Sequence, residues 1–385
     1  MQQPIPHREQ DAAAGARAAP VVVVTGASAG LGRAIAAAFA ASGWRVALIA
    51  RGEGRLGSAA RELRAQGAEV LTFAADVADA AALDRAAEEV AARWGGIDVW
   101  VNNAMVTVFG RFESMSASEF RRVSEVTFIG QVNGTRAALR HMRRRDAGTI
   151  VQMDSALGYR SIPLQSAYCA AKAAVRGFTD ALRSELIHEG SRIRLTTVYL
   201  PAINTPQFDW ARCYLPRHPQ PVGTIFQPEA VAGQVVRAAI SAPRDRWIGR
   251  TTLLAIVGNM VFPGWLDRMM ARKAWSGQMT AQRIETPRAG NLFAPVDLPV
   301  GSHGDFDARA RPRVGAFSPR LVRGAIALAA GLGLVSLGAL LRAPAPAGRA
   351  RSSRPPRRRW ALRERGTAPR AGGFRVRARN SHSAR

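Results

Sequence analysis

The amino-acid sequence predicts an α/β protein built on a doubly wound parallel sheet, followed by a mainly helical C-terminal extension. Three observations carry that prediction. Short apolar runs recur at residues 21–24, 45–50, 70–74, 98–101, 149–153 and 193–199, each of a length suited to a strand buried on both faces. Helical patterns separate the runs, which makes the chain a succession of strand, helix and strand. The first run, VVVV, turns at once into the glycine-rich stretch Thr25-Gly26-Ala27-Ser28-Ala29-Gly30-Leu31-Gly32 and then into a helix from Leu31 to about Ala41. Ligands of such a sheet bind beyond the C-terminal ends of its strands.

Taken in order, residues 1–20 are Ala, Gln, Pro and charge without periodicity, and read as a disordered leader. The turn after the first strand spaces its glycines G-x3-G-x-G. Glycine permits positive φ and close backbone approach, and the helix N-terminus offers amides to a pyrophosphate. Gly26, Ser28, Gly30, Leu31 and Gly32 are therefore the candidate phosphate-binding turn. Ser116 and Glu119 form a capping box that opens a long helix running to about Arg144.

The chemistry concentrates between Ser155 and Lys172, in SALGYRSIPLQSAYCAAK, with the pattern S-x12-Y-x3-K. Tyr168 and Lys172 lie one helical turn apart on one face, which sets the ammonium beside the phenol. A neighbouring cation favours phenolate and draws the tyrosine pKa from about 10 toward working pH. Ser155, at the end of the preceding strand, can donate a hydrogen bond to a substrate oxygen. The chain has 54 Lys plus Arg, yet lysine occurs only at Lys172 and Lys273. Keeping a compact, pKa-shiftable ammonium in an otherwise arginine-rich chain points to a chemical requirement.

TGASAGLG, Asp76-Val77, Asn102-Asn103-Ala104, Ser155, YCAAK and the stretch from Pro201 to Pro206 together resemble the short-chain dehydrogenase/reductase family in order and spacing, over about residues 21–243. The resemblance implies a single Rossmann-fold domain that works as an NAD(P) oxidoreductase. It implies Tyr168 as proton donor or acceptor, Lys172 on the nicotinamide ribose and Ser155 orienting substrate. By the same likeness Asp76 and Val77 flank the adenine, Asn103 contacts the adenosine side, and Ile203 and Thr205 meet the nicotinamide carboxamide. Three positions depart from the family pattern: Met105 and Ala202 each replace a glycine, and Thr127 replaces the asparagine that holds a proton-relay water. A threonine hydroxyl can hold a water with fewer hydrogen-bonding groups than an amide, so Thr127 is expected to support a weakened or rerouted relay. The second strand ends Leu48-Ile49-Ala50-Arg51 with no acid at its tip. An acid there would bind a ribose 2′-hydroxyl, whereas a 2′-phosphate needs a cation, so Arg51 is the candidate contact and NADP(H) the expected cofactor.

Beyond residue 245, residues 246–311 form an extension dense in large apolar groups such as Trp247, Met260, Phe262, Trp265 and Met270. It reads either as a cap over the cleft for a bulky apolar substrate or as helices packed on the body. The Pro-, Gly- and Asp-rich stretch from Arg288 to Phe306 reads as an extended segment or linker. Residues 321–342 hold the uncharged run GAIALAAGLGLVSLGALL, at the lower limit for crossing a bilayer. The tail 343–385 reads as disordered. From Arg342 onward 14 arginines face the single Glu364, which carries +13 of the formal +26. That bias suits an anionic membrane surface better than a crossing, and a soluble packed helix is the alternative. Only Trp360 and Phe374 interleave with the tail's charge, so no specific nucleic-acid platform is expected.

Two cysteines, Cys169 and Cys213, give no disulfide framework or metal site, and the N-terminus shows no signal-peptide core. A cytoplasmic location is expected, with membrane association as a further reading of the C-terminus. The expected function is carbonyl–alcohol interconversion on an apolar small molecule by a homo-oligomer. The alternative is a catalytically weak cofactor-binding sensor or scaffold at a membrane surface.

Overall fold

A computed structural model of the chain describes residues 19–296, 298, 301–328 and 331. Strand β1 (Val21–Thr25) is buried along its whole length and pairs in parallel with both β2 (Arg45–Ala50) and β4 (Val99–Asn102). β3 (Val70–Ala74) extends the sheet beyond β2. β5 (Thr149–Ser155), β6 (Arg194–Leu200) and β7 (Asp245–Ile248) continue it on the other side, and β8 (Ala316–Phe317) closes that edge antiparallel to β7. The order is β8-β7-β6-β5-β4-β1-β2-β3, with reversal of strand order between β1 and β4. That reversal is where a doubly wound sheet opens its ligand crevice.

The alternation of side chains along β1 divides the core into two layers. Val22 and Val24 join Ile35 and Phe39 of α1 (Gly30–Ala40), Leu56 and Leu63 of α2 (Glu53–Ala65), and Val235 of α6 (Pro228–Ser241). Val21 and Val23 face the opposite layer, with Leu83 of α3 (Ala80–Trp94), Ala137 of α4 (residues 117–142) and Ala167 of α5 (Ser166–His188). Helix α4 begins at the expected capping box, with Ser116 accepting from the Glu119 amide and the Glu119 carboxylate accepting from the Ser116 amide. It runs Ala117–Ser124, widens to a π turn over Glu125–Ile129 and continues as Gly130–Met142.

A buried polar cluster ties α4 to the sheet. The Asn102 side-chain amide donates to Gln152 Oε1 and Thr135 Oγ1 at 3.0 Å each, and its oxygen accepts from the Trp100 indole at 2.8 Å. A Cβ on Gly134 would run into the Asn102 side-chain oxygen, so this helix can approach β4 only with glycine there.

The structure shifts one boundary of the extension's sequence reading and decides between two of its alternatives. The boundary at residue 245 falls within the sheet, because Asp245–Ile248 is the seventh parallel strand and Trp247 is buried in it. The stretch from Arg288 is docked and is no free linker. Arg288 exchanges backbone hydrogen bonds with Cys213, and the Asn291 amide donates to the Trp210 carbonyl. Helices α7 (Arg250–Val261) and α8 (Pro263–Met269) follow β7, and a last helix covers residues 319–328. Among the described residues no helix is long and apolar enough to cross a membrane. Most of the apolar run, the Arg-rich tail and nearly all of the leader lie outside the described residues.

Asn102→Ala would strand the Trp100 indole N–H and the Gln152 side-chain oxygen in the core, while Thr135 keeps its bonds to Gln131 and Gln152. Its expected cost is about 3 kcal/mol of unfolding free energy, read as a lower urea midpoint at unchanged slope.

Candidate active site

The C-terminal ends of β1, β2, β4, β5 and β6 border one cavity of about 470 Å³. The glycine-rich turn forms its floor. A Cβ on Gly32 would collide with the Gly26 carbonyl oxygen, so the backbone here leaves a cradle that no side chain fills. The turn is held from behind by the fourth strand. Asn103 donates its side-chain amide to the Thr25 carbonyl at 3.0 Å, and the Thr25 hydroxyl accepts from the amides of Asn103 and Ala104. Asn103 thus shapes the turn while also lining the cavity. Ser28, Gly30 and Leu31 line it as well, and the cradle fits a dinucleotide's pyrophosphate. The Gly30 amide already donates to the Gly301 carbonyl at 3.0 Å, so a pyrophosphate would compete for that donor.

At the end of the cavity beside β2, Asp76 and Val77 are among the lining residues. The Asp76 carboxylate is capped by the Ala78 amide at 2.9 Å and paired with Arg122. Arg51 lines the cavity too, but its guanidinium donates to the carbonyls of Asn291 at 2.5 Å and of Leu292 and Phe293 at 3.2 Å each. Arg122 donates to the same Leu292 carbonyl. A 2′-phosphate would have to compete with these carbonyls for Arg51. Arg55, stacked on Trp210 with its guanidinium carbon 4.7 Å from the ring centroid, is a second cation on this wall. Ile203 and Thr205 lie beyond β6 on the cavity wall.

Ser155, Tyr168 and Lys172 meet at the other end. β5 delivers Ser155 and α5 delivers the other two, one turn apart. The Ser155 hydroxyl accepts from the Leu157 amide at 3.1 Å and hydrogen-bonds Tyr168. Lys172 is 2 % exposed, and its Nζ donates to the Met153 carbonyl at 2.5 Å, 5.7 Å from the Tyr168 ring centroid. Burial pushes the Tyr168 phenol above its ordinary 10.0; the Ser155 hydrogen bond opposes that shift and the Asp154 charge reinforces it. The expected downward pull of the lysine is not among these effects, and its Nζ is turned to the Met153 carbonyl.

Asp154 is the site residue that pattern reading missed. It is fully buried between Met153 and Ser155; its Oδ1 accepts from the Ser155 amide at 2.7 Å, and its Oδ2 has no hydrogen-bond partner. Burial pushes its carboxyl up to about 7, opposed by the Lys172 charge; burial brings Lys172 down to about 8, opposed by Asp154. The available signal was an acid at the end of an apolar run, next to a candidate catalytic serine. Thr127, in the π turn, is buried: its hydroxyl donates to the Val106 carbonyl at 2.9 Å and accepts from the Val106 amide at 3.1 Å. Its proton is thereby committed to the loop after β4.

The apolar walls come from Leu157, Ile162, Val222, Ala255 and Met270. The extension thus does help to enclose the cavity, while Phe262 and Trp265 face solvent. Among the described residues no cluster of His, Cys, Asp and Glu could hold a metal ion.

A carboxyl whose pKa rises from 3.8 to about 7 on folding binds a proton in that window while the unfolded chain does not. Its contribution to stability therefore falls as pH rises through the window. Asp154→Asn removes this slope, so the variant's stability relative to wild type should climb between about pH 4 and 7, by at most roughly 1.4 kcal/mol per unit. Urea unfolding at several pH values measures it; a pH-independent difference would contradict the assignment.

Comparison with known proteins agrees with this geometry. The short chain dehydrogenase family model matches residues 20–212. An uncharacterized oxidoreductase of Bacillus subtilis, YxnA, is 33% identical over 285 residues, spanning 74% of this chain and 79% of its own length. A putative oxidoreductase of Mycobacterium tuberculosis, SadH, is 37% identical over 185 residues, covering 48% of this chain and 67% of that protein. The crystal structure of a short-chain dehydrogenase from Streptomyces avermitilis superposes with a TM-score of 0.55 at 29% identity, over 67% of this chain and 97% of the other. With its sheet order, its glycine turn and the converging serine, tyrosine and lysine, this chain belongs to the short-chain dehydrogenase/reductase family of oxidoreductases.

Proposed function

We propose that the protein is an NADP(H)-dependent oxidoreductase that interconverts a carbonyl and an alcohol on an apolar small molecule, with Tyr168 as general acid and base. The observation that carries this reading is the convergence of Ser155, Tyr168 and Lys172 in the same cavity as the glycine turn. The turn residues Gly26, Ser28, Gly30, Leu31 and Gly32 would hold the pyrophosphate, Asp76, Val77 and Asn103 the adenosine half, and Ile203, Thr205 and Lys172 the nicotinamide half. Bound there, the nicotinamide supplies the hydride to a carbonyl carbon or takes it from an alcohol.

The Ser155 hydroxyl donates a hydrogen bond to the substrate oxygen and fixes it beside the Tyr168 phenol. In reduction the phenol gives its proton to that oxygen; in oxidation the phenolate takes the proton back. The buried Lys172 ammonium stabilises the phenolate, more strongly than it could in water because the site excludes solvent. Asp154 works against the phenolate when ionised and is neutral below about pH 7. Thr127 stands where a relay water would be held; with its proton on the Val106 carbonyl it retains only acceptor capacity. The cation Arg51 and the lack of an acid at the tip of β2 support NADP(H) over NAD(H).

A catalytically weak sensor is the second reading. The observations favouring it are the engagement of Arg51 and Gly30 by carbonyls of the extension and the committed hydroxyl of Thr127.

One assay separates these readings: oxidation of NADPH and NADH across apolar aldehydes and ketones, and the reverse reaction with alcohols. Tyr168→Phe should lower turnover by roughly 10²–10⁴-fold with little change in NADPH affinity. Arg51→Ala should weaken NADPH by about tenfold or more and NADH far less; equal weakening would mean that Arg51 serves only to pin residues 291–293. Thr127→Ala should alter the pH profile if the threonine takes part in the relay, and an unchanged profile would leave it a structural tie. Tight NADPH binding with no Tyr168-dependent turnover would favour the sensor.

A further inference from the structure

The corner between α7 and α8 exposes apolar surface that the body of the protein does not use. Ile256 anchors α7 against Tyr199 and Trp247, while Thr251 and Ala255 of the same helix face the cavity. Away from that contact, Leu254, Met260, Val261, Phe262 and Trp265 are 66%, 55%, 57%, 62% and 61% exposed. Met260, Val261, Phe262 and Trp265 share one corner, turned by Pro263 and Gly264. Single exposed apolar side chains are ordinary; a contiguous group of this size marks a surface that meets something apolar.

The surrounding charge says what that is. Arg268, Arg272 and Lys273, which follow the corner in the chain, are exposed and enter no ion pair among the described residues. Asp267, the one acid from residue 250 to 273, is paired with Arg160 at 2.6 Å. A second copy of this surface would bring like charges together. An anionic lipid surface satisfies both the aromatic tip and the cationic ring. The sequence continues in the same sense. Val322 of the 319–328 helix packs against the Tyr199–Trp247–Ile256 cluster, and the chain then runs through the uncharged stretch to Leu341 and the 14 arginines beyond it.

We infer that the α7–α8 corner docks on an anionic phospholipid surface, with Phe262 and Trp265 entering the headgroup region and Arg268, Arg272 and Lys273 meeting the headgroup charge. This docking does not depend on the proposed reaction. Its consequence for substrate rests on that reading: Thr251 and Ala255 would hold the cavity wall about one helix diameter from lipid, a route for apolar molecules.

The test is co-sedimentation of the full chain with vesicles of phosphatidylcholine alone or mixed with phosphatidylglycerol. The wild type should partition to the mixed vesicles, and Phe262→Ser with Trp265→Ser should lower its partition coefficient by at least about tenfold. Arg268→Gln with Arg272→Gln should lower it by roughly fivefold per charge on mixed vesicles and leave phosphatidylcholine unaffected. Trp265→Phe identifies the emission of Trp265, which should shift to the blue and be quenched by brominated lipid; an unchanged melting temperature shows that the variants are folded. Equal binding by wild type and Phe262→Ser/Trp265→Ser would overturn the inference and leave the tail as the sole contact. So would a lipid-free wild-type oligomer that this double variant dissociates, since the corner would then join two copies of the chain.

Discussion

The burial of one ammonium and one carboxyl beside the same phenol is the constraint on which the site depends. An ion removed from water is costly unless a partner or hydrogen bond replaces the lost hydration. Lys172 is held by the Met153 carbonyl and by the charge of Asp154, both from the end of β5. α5 must therefore lie against β5 in a register that brings Tyr168 to Ser155. The sheet order sets β5 next to β4, whose following residues brace the glycine turn, so the Ser155–Tyr168–Lys172 end and the glycine-turn end of the cavity share one support.

The end of the cavity beside β2 is built differently. Arg51 and Arg122 hold the carbonyls of residues 291–293, which arrive from the far end of the folded chain, and Leu292 is buried in the core beneath them. The extension thus contributes backbone to one edge of the cavity as well as side chains such as Ala255 and Met270 to its wall. A guanidinium fork suits this use, since its several donors can hold adjacent carbonyls at once.

Much of this was legible in the sequence for definite reasons. Strands buried on both faces read as apolar runs; residues 45–50 and 70–74 are strands over those same limits, and the others shift by one or two residues. The turn and the S-x12-Y-x3-K spacing are local patterns and survive folding unchanged. What escaped was non-local or lacked a period. β7 is a four-residue strand with Asp245 and Arg246 in it, too short and too charged to stand out, and the two-residue β8 has no pattern at all. The contact between Arg51 and residues 291–293 joins positions some 240 apart, which no window on the sequence spans. Spacing could place Lys172 beside Tyr168, but only the packing shows that burial raises the phenol while the lysine's Nζ is turned to the Met153 carbonyl.

The central claim, a lysine that burial makes easier to deprotonate and that Asp154 helps to keep charged, is open to a direct measurement because the chain contains only two lysines. With ¹³Cε-labelled lysine the protein should give two resolvable NMR signals, assigned by a Lys273→Arg variant. The Lys172 signal is predicted to titrate near 8 and to shift lower in Asp154→Asn, where the opposing charge is gone. Titration at the ordinary 10.5, indifferent to Asp154, would contradict the account.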